Sequence, residues 1–396
     1  MTKSVSIALG AALLACAAVG GSERVETIDL RSVEGNVVAV SAQKVDFLPG
    51  GKAQSVPLKD VEEIHLRDGE DLLAATARGV VQTAAGDLLS SGAIAVADGK
   101  LRFECPMIGA VEVPLTAVAY VYLPATGLSA GAVIRRCADV QAPEKAADTL
   151  VVDQGKEWSG VEGVLVSLKD QQITFRVRDE DKQIETRHVK AIRLASPASV
   201  KTPAGTVLAA DGSEIHFSSL RMEGQKVVAQ TLFGPEVTLE RKNVAAVRFF
   251  SDRAVALSSL TPEKVQEHGF FDTKFPHRLN KSVDGGPLKM AGKTHASGLG
   301  MNSLTELTYK LDGPYKSFVA VAGIDDAVRP NGNATLTFLG DGKPLREPVN
   351  LTGKADPVEV RLDLSGVKSL LIRVDFGPDN LPVGDHVDLG SARLIK

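Results

Sequence analysis

The sequence is poor in aromatic residues and in cysteine. Phe, Trp and Tyr together make up 5% of the 396 residues, with a single Trp, and only three Cys are present. A stacking surface for bases or sugar rings would therefore have to be small. The three Cys are too far apart to form the closely spaced ligand pairs of a zinc site.

The chain also lacks an excess of basic residues. Lys and Arg number 45 against 49 Asp and Glu, which gives a net charge of −4. Nucleic-acid binding depends on Lys and Arg that neutralise phosphates, so we do not expect nucleic acid as a main partner. Beyond the first twenty residues no apolar run is long enough to span a bilayer. A membrane contact would then require a lipid anchor.

The N-terminus has the layout of a bacterial secretory signal. Residues 1–21 contain one Lys, an apolar stretch too short for a transmembrane helix, and then small residues. Within this segment, Leu13–Cys16 resembles a lipobox, in which Cys16 would become the lipidated residue of a lipoprotein. Cleavage by an ordinary signal peptidase is the alternative. In either case the pattern predicts an exported protein of the periplasm, the cell envelope or the extracellular space.

Export changes the interpretation of the two remaining cysteines. In an oxidising compartment, Cys105 and Cys137 are candidates for a disulfide. Such a bridge would stabilise the fold by about 3–4 kcal/mol by restricting the unfolded chain. The alternative is a pair of buried thiols, since free Cys packs like a small hydrophobic residue.

A short β pattern occurs four times between residues 24 and 251. The copies end in VEEIHL, VAYVYL, VKAIRL and VAAVRF, which recur at intervals of 57, 71 and 55 residues. Apolar and polar residues alternate ahead of each phrase, with the period of a strand, and turn residues separate the segments. Each copy is therefore expected to form a small SH3-like or Sm-like barrel, or part of a sandwich.

The longest interval divides the four copies into two pairs. Residues 127–148 lie in that interval and predict a linker or short helix, with one pair at 24–126 and the other at 149–251. The block resembles tandem β repeats of exported proteins from planctomycete-type bacteria. That resemblance implies a scaffold or interaction role and carries no activity with it.

Residues 252–396 have a different pattern. They open with LSSLTPEK, where Thr261 as cap and Pro262 in the first turn predict the start of a helix. The motifs GLG, FVAVAGIDD, GDGK and GDHVDLGSARL follow in this order, separated by alternating segments.

This order of motifs resembles the NPCBM/NEW2 family, the carbohydrate-binding module associated with family 98 glycoside hydrolases. The resemblance implies a jelly-roll β-sandwich of the galactose-binding type, so the whole chain is expected to be all-β. Two positions depart from the family pattern. Asn302 stands in the region where the family usually has His after GLG, and Leu389 replaces the usual Trp.

The resemblance implies that the C-terminal module binds a carbohydrate. Sugar sites combine an exposed aromatic ring with polar groups that form hydrogen bonds. The candidate residues are Tyr315, Asn302, Asp385 and His386. The alternative is a structural or protein-interaction protein of the envelope that binds no sugar.

Two adjacent carboxylates suggest a metal ion. Asp325 and Asp326 follow a predicted strand, and Ca²⁺ takes six to eight oxygen ligands, often from loop carboxylates of exported modules. Calcium is therefore the one cofactor considered. The alternative is that these carboxylates cap backbone amides in a turn.

One catalytic pattern is present. Gly127–Gly131 fits the G-x-S-x-G elbow of hydrolases, with Ser129 as nucleophile. That elbow requires a parallel sheet flanked by helices, whereas the surrounding residues predict a β meander. We therefore expect a protein without catalytic activity, with a serine hydrolase as the alternative.

Overall fold

The computed structural model describes residues 23–67, 79–125, 127–143, 146–155, 157–195, 201–269 and 275–396. The predicted signal peptide and Cys16 lie outside the described residues. Within these ranges, no helix is both long and apolar enough to cross a membrane. Nearly all regular structure is β, which confirms the predicted fold class.

Each repeat is a meander of short strands. Along a strand, buried apolar side chains alternate with exposed side chains. In KLRFEC, for example, Leu101, Phe103 and Cys105 are buried and the residues between them are exposed. The strands of the first two repeats are β1 (Arg24–Thr27), β2 (Ser32–Glu34), β3 (Asn36–Val40), β4 (Lys44–Leu48), β5 (Gln54–Pro57), β6 (Val61–His65), β7 (Gly79–Thr83), β8 (Leu88–Ser91), β9 (Ile94–Ala97), β10 (Lys100–Cys105), β11 (Gly109–Pro114) and β12 (Val118–Tyr122).

The third and fourth repeats follow the same plan. Their strands are β13 (Asp148–Asp153), β14 (Trp158–Lys169), β15 (Gln172–Val177), β16 (Glu180–Glu185), β17 (Val189–Arg193), β18 (Gly205–Ala209), β19 (Glu214–Glu223), β20 (Lys226–Thr231), β21 (Glu236–Glu240) and β22 (Val244–Phe249). In every repeat a 3-10 turn directly precedes the last strand, at Leu58–Asp60, Leu115–Ala117, Thr186–His188 and Arg241–Asn243; another lies at Pro49–Gly51. The last strand then pairs with the first strand of its own repeat, as β12 does with β7 and β17 with β13.

Strand pairing joins the repeats in an order that differs from the grouping expected from the sequence. The second and third repeats are connected where β12 pairs with β17, with Tyr120 opposite Arg193. The fourth and first repeats are connected where β19 pairs with β3, with Met222 opposite Val40. An open strand edge pairs with any complementary edge, so the partner is set by geometry and not by order along the chain.

The segment between the second and third repeats contains α1 (Ala130–Ala138), the one α-helix in the described part of the chain. Its N-terminus is capped by Ser129, whose hydroxyl accepts the Ala132 N–H at 3.3 Å. The preceding strand, β12, pairs antiparallel with both of its neighbours. Ser129 is thus a helix cap beside an antiparallel sheet, which is not the setting of a hydrolase elbow.

The disulfide considered for Cys105 and Cys137 is not formed. Both thiols are free and buried. Cys105 ends β10, whereas Cys137 lies on the inner face of α1 and packs in a cluster with Val133 and Tyr122. The two side chains therefore occupy different parts of the repeats, as buried thiols, which was the alternative to the disulfide.

The C-terminal part forms a sandwich of two antiparallel sheets. Its strands are β23 (Ala254–Ala256), β24 (Lys264–Glu267), β25 (Arg278–Leu279), β26 (Leu288–Met290), β27 (Lys293–His295), β28 (Gly298–Met301), β29 (Thr305–Lys310), β30 (Ser317–Ile324), β31 (Asn333–Gly340), β32 (Lys343–Pro344), β33 (Val349–Thr352), β34 (Val358–Asp363), β35 (Ser369–Phe376) and β36 (Val387–Ile395). One sheet has the order β25-β28-β36-β30-β34, with β23 beside β36; the other has the order β24-β29-β35-β31-β32, with β33 beside β31.

The core of the sandwich lies between the two sheets. Tyr309, Phe318 and Phe338 are among the largest fully buried side chains there. The helix predicted from LSSLTPEK is wrong. The segment forms a 3-10 turn at Leu257–Ser259 and then enters β24, whose pairing with β29 fixes it in extended form.

The described chain divides into two compact units. The repeat unit takes in residues up to Val25, Glu34–Ser55 and Ile64–Arg248; the sandwich unit takes in Glu26–Val33, Val56–Glu63 and Phe249–Lys396. Within the sandwich unit, Ile28 packs against Val319 and Ile395, which face away from the core. Two short segments from the first repeat therefore belong to the packing of the sandwich.

Candidate functional site

The register of three strands brings polar residues together at one end of the sandwich. Met301 at the end of β28 and Ile324 at the end of β30 both align with Val387 at the start of β36. Residues that follow β28 and β30 therefore meet the residues that precede β36. We call this region the polar end; it comprises Asn302, Asp325, Asp326, Asp385, His386 and Asp388.

Tyr315 lies at the opposite end. It precedes the first residue of β30, whereas Asp325 follows the last one, and eight strand residues span about 26 Å. A backbone hydrogen bond also places this segment at the opposite end. The Lys316 N–H donates to the carbonyl of Ile395, the last residue of β36, at 2.7 Å. Of the four predicted sugar-binding residues, the structure brings three together and separates Tyr315 from them.

Two of these three residues lie beneath the surface. Asn302 is 7% exposed and Asp385 is fully buried. Asp385 Oδ1 accepts the Asn333 N–H at 3.1 Å, and burial raises the pKa of its carboxyl to about 6. The Asp385 carboxylate thus ties the loop before β36 to the start of β31, whereas the structure gives the buried Asn302 Oδ1 no hydrogen-bond partner among the described residues.

His386 lies nearer the surface, beside an aromatic ring that the sequence reasoning missed. The ring centroids of His386 and Phe275 are 5.7 Å apart, and 39% of Phe275 is exposed. Asp284 Oδ2 lies 3.2 Å from His386 Nδ1. An exposed apolar ring, an imidazole and a carboxylate thus form one surface group, which we call the Phe275 site.

His386 ends the loop between β35 and β36, which exposes two further apolar side chains. Leu381 is 52% exposed and Val383 is 65% exposed in this loop, which ends at His386. No local pattern in the sequence connects these residues with Phe275, since more than a hundred residues separate them. The signal available from the sequence was a group of apolar residues in predicted loops.

Asp326 caps backbone amides. Its two carboxylate oxygens accept the N–H groups of Ala291 and Gly292 at 2.7 and 2.8 Å, and its own N–H donates to the Lys289 carbonyl at 2.8 Å. These contacts hold the tip of the β26–β27 hairpin. Asp326 thus has the turn-capping role that was the alternative to calcium.

Asp325 faces Asp388 and not Asp326. Asp325 Oδ1 accepts the Ala327 N–H at 2.8 Å, and Asp388 Oδ2 accepts the Lys289 N–H at 3.0 Å. The second oxygens of both carboxyls, Asp325 Oδ2 and Asp388 Oδ1, are buried and accept no other N–H or O–H group of the described residues, and the two carboxyls lie within hydrogen-bond reach of each other. Burial, together with the neighbouring Asp325 carboxyl, raises the pKa of Asp388 to about 9.

Comparison with known protein families agrees with this sandwich. Residues 253–395 match the NPCBM/NEW2 domain. The resemblance inferred from the motifs is thereby confirmed for this region.

The chain is similar to several known proteins. A candidate endo-α-N-acetylgalactosaminidase of Renibacterium salmoninarum is 34% identical over 97 residues, which is 24% of this chain and 6% of that protein. The CBM51 module of Clostridium perfringens GH95, solved with methyl-galactose, is 22% identical with a TM-score of 0.33; the alignment covers 36% of this chain and 99% of that one. The tandem CBM51 modules of a Streptococcus pneumoniae family 98 glycoside hydrolase are 13% identical with a TM-score of 0.31, covering 80% of this chain and 87% of theirs.

One departure of this NPCBM/NEW2 domain from the family pattern affects packing. Leu389, at the position of the usual Trp, is fully buried in the core between the sheets. It faces the core and not the surface of the polar end.

The repeat unit contains a separate cavity. A cavity of about 1000 Å³ opens between the second and third repeats. Its lining combines small and apolar side chains with charged ones, including Ala93, Ala95, Phe103, Leu168, Arg102 and Lys169. Charges of both signs line it, and one pair is already formed between Arg102 Nε and Glu112 Oε2 at 2.5 Å.

Proposed function

We propose that this protein is an exported, non-catalytic carbohydrate-binding protein whose NPCBM/NEW2 domain binds a neutral sugar at the Phe275 site. The match of residues 253–395 to a domain of the carbohydrate-binding-module type is the observation that carries this proposal. The signal-like pattern of residues 1–21 supports export, and in this proposal the four repeats act as a scaffold.

The chemistry of the Phe275 site supports a sugar as ligand. A sugar ring has apolar C–H faces and polar hydroxyl edges, so sites for sugars combine an aromatic ring with groups that donate or accept hydrogen bonds. Phe275 offers an exposed ring, and His386 with Asp284 offers polar groups beside it.

The charges around the site favour a neutral sugar over an acidic one. Asp284 lies at the Phe275 site and Asp385 directly precedes His386. An anionic sugar would bring its charge close to these carboxyl groups. Neutral hydroxyls can instead donate hydrogen bonds to the exposed carboxylate of Asp284.

A titration of the full chain with galactose and with N-acetylglucosamine tests the site. Removing the ring with Phe275→Ala should weaken binding of the sugar that binds the wild type about 5- to 10-fold, the size expected for loss of aromatic contact. Phe275→Tyr should retain binding because it keeps the ring. Tyr315→Phe, which changes an aromatic residue at the opposite end, is the matched control and should leave affinity unchanged.

Two results would count against the proposal. Equal affinities of the wild type and Phe275→Ala for the sugar would mean that the sugar binds elsewhere on the domain. Absence of binding to these two sugars and to a wider set of glycans would favour the alternative, a structural or protein-interaction protein.

A further inference from the structure

We propose that the cavity between the second and third repeats binds a short extended peptide of a partner protein, which adds to the open edge of β9 as a further strand. The cavity has a volume of about 1000 Å³. It lies in the repeat unit, so the proposal gives the repeats a binding role beyond that of a scaffold. It does not rest on sugar binding by the NPCBM/NEW2 domain.

The first step of the argument is the edge of β9. This strand pairs with β10 along its whole length but with β14 at one position, where Val96 lies opposite Leu168. Alternate residues of a strand direct their backbone groups to the same side. The N–H and C=O of Ile94 therefore point away from β10, as those of Val96 do. In the register of β9 with β14, the residue opposite Ile94 would be Asp170.

A turn ends the pairing at that position. Asp170 and Gln171 have φ values of 50° and 63°, and they lead the chain from β14 into β15. The carbonyl of Gln171 accepts the Thr186 N–H at 2.9 Å, which holds this turn to the 3-10 turn before β17. Ile94 and all three turn residues line the cavity. The edge of β9 beside Ile94 is therefore left open within the cavity.

The second step is the composition of this edge. Residues 92–97 read GAIAVA and contain no charged residue. Open strand edges of soluble proteins usually carry charged side chains or Pro, because an unprotected edge pairs with other strands. Gly92, Ala93 and Ala95 line the cavity, and their small size lets a second backbone approach. An open, uncharged edge of this kind fits the recognition of an extended peptide by strand addition.

The third step is the charge of the lining. Lys169, Glu104 and Asp170 line the cavity and form no ion pair with the described residues, whereas Arg102 is already paired with Glu112. A nucleic acid would meet unpaired carboxylates, and a neutral sugar would leave all three charges unpaired. A peptide can carry an acidic and a basic side chain on one short segment. We therefore expect an acidic residue of the peptide to contact Lys169 and a basic one to contact Glu104.

Selection of short random peptides, displayed as a library, on the full chain supplies the probe. We expect the recovered peptides to have apolar residues at alternate positions and one residue of each charge. Ile94→Pro removes the N–H at the open edge but no hydrogen bond to β10. It should weaken binding of a recovered peptide about 3- to 10-fold, the size expected for one hydrogen bond. Ile94→Val keeps the N–H and is the matched control.

An exchange of charges tests the proposal without a change to the strand. The double variant Lys169→Glu/Glu104→Lys should bind the recovered peptide more weakly than the wild type does. A peptide with its acidic and basic residues exchanged should bind this variant about as tightly as the original binds the wild type. Lys182→Glu is the control, because Lys182 lies in β16 and does not line the cavity.

Four results would overturn the proposal. The first two are recovery of no peptide from the library, and equal affinities of the wild type and a folded Ile94→Pro variant for the recovered peptide. The third is displacement of the peptide by galactose, which would assign the cavity to a sugar. The fourth is failure of the exchanged peptide to bind the double variant, and this result decides if Ile94→Pro does not fold.

Discussion

Arg393 Nη1 lies 2.6 Å from Glu62 Oε2. This ion pair joins the last strand of the NPCBM/NEW2 domain to a residue near the end of the first repeat. Only 11% of the Arg393 side chain and 30% of the Glu62 side chain are exposed. Close by, Arg253 forms an ion pair with Asp60. The compact sandwich unit therefore extends beyond the residues that match the family.

Replacing Glu62 with Gln should destabilise the sandwich unit. Arg393 would keep its burial but lose its carboxylate, and we expect a loss of about 1–2 kcal/mol, between the values of exposed and buried ion pairs. Hydrogen exchange of residues 387–395 in the full chain measures this change. Glu359→Gln is the control, because its ion pair with Arg361 is exposed and should contribute little. Equal effects of the two variants would contradict the role given to Glu62.

The two thiols should be unreactive in the native protein. Burial raises the pKa of Cys137 to about 12 and also raises the pKa of Cys105, and the thiolate is the form that reacts. Iodoacetamide should label both only after unfolding, and a reducing agent should leave the melting temperature unchanged. A lower melting temperature under reduction would mean that a disulfide is present after all.

Gly390 has no room for a side chain. A Cβ there would lie 2.4 Å from the ring of His295, which is 6% exposed and cannot move away easily. Gly390→Ala should therefore cost about 1–3 kcal/mol of unfolding free energy, the usual size for overpacking. In the double variant with His295→Ala, the two changes should cost less than their sum. Strict additivity would show that the clash is relieved in another way.

The stability of the polar end should depend on pH through Asp385. The folded pKa of about 6 is higher than the unfolded value near 3.8, so the folded protein binds the proton more tightly. This contribution to stability is fully present below pH 4 and is lost as pH rises through about 6. Asp385→Asn keeps an oxygen for the Asn333 N–H, and its unfolding curves should show a weaker pH dependence in this window. An unchanged pH dependence would assign the effect to another group.

The alternation of apolar residues was enough to predict the strands, because burial of one strand face is a local property. In β10 and in β31, for example, every second side chain is buried. The order of motifs in the last third of the chain was enough to predict the type of sandwich. The first prediction needed only residues close to each other in sequence, whereas the second rested on the resemblance of widely spaced motifs to the NPCBM/NEW2 family.

Relationships between distant strands could not be predicted. The Asp325–Asp388 pair depends on the register of β30 with β36, and the Phe275 site depends on where a loop lies against the start of β36. The pairing of the second repeat with the third depends on two strand edges that the sequence leaves equally open. Each of these is a property of the packed chain.

A glycan array probed with the full chain, as wild type and as Phe275→Ala, shows whether a sugar binds at the Phe275 site. We expect the wild type to bind neutral glycans and the variant to lose those signals while remaining folded. Wild-type protein that binds none of the glycans, or variant signals as strong as those of the wild type, would contradict this expectation.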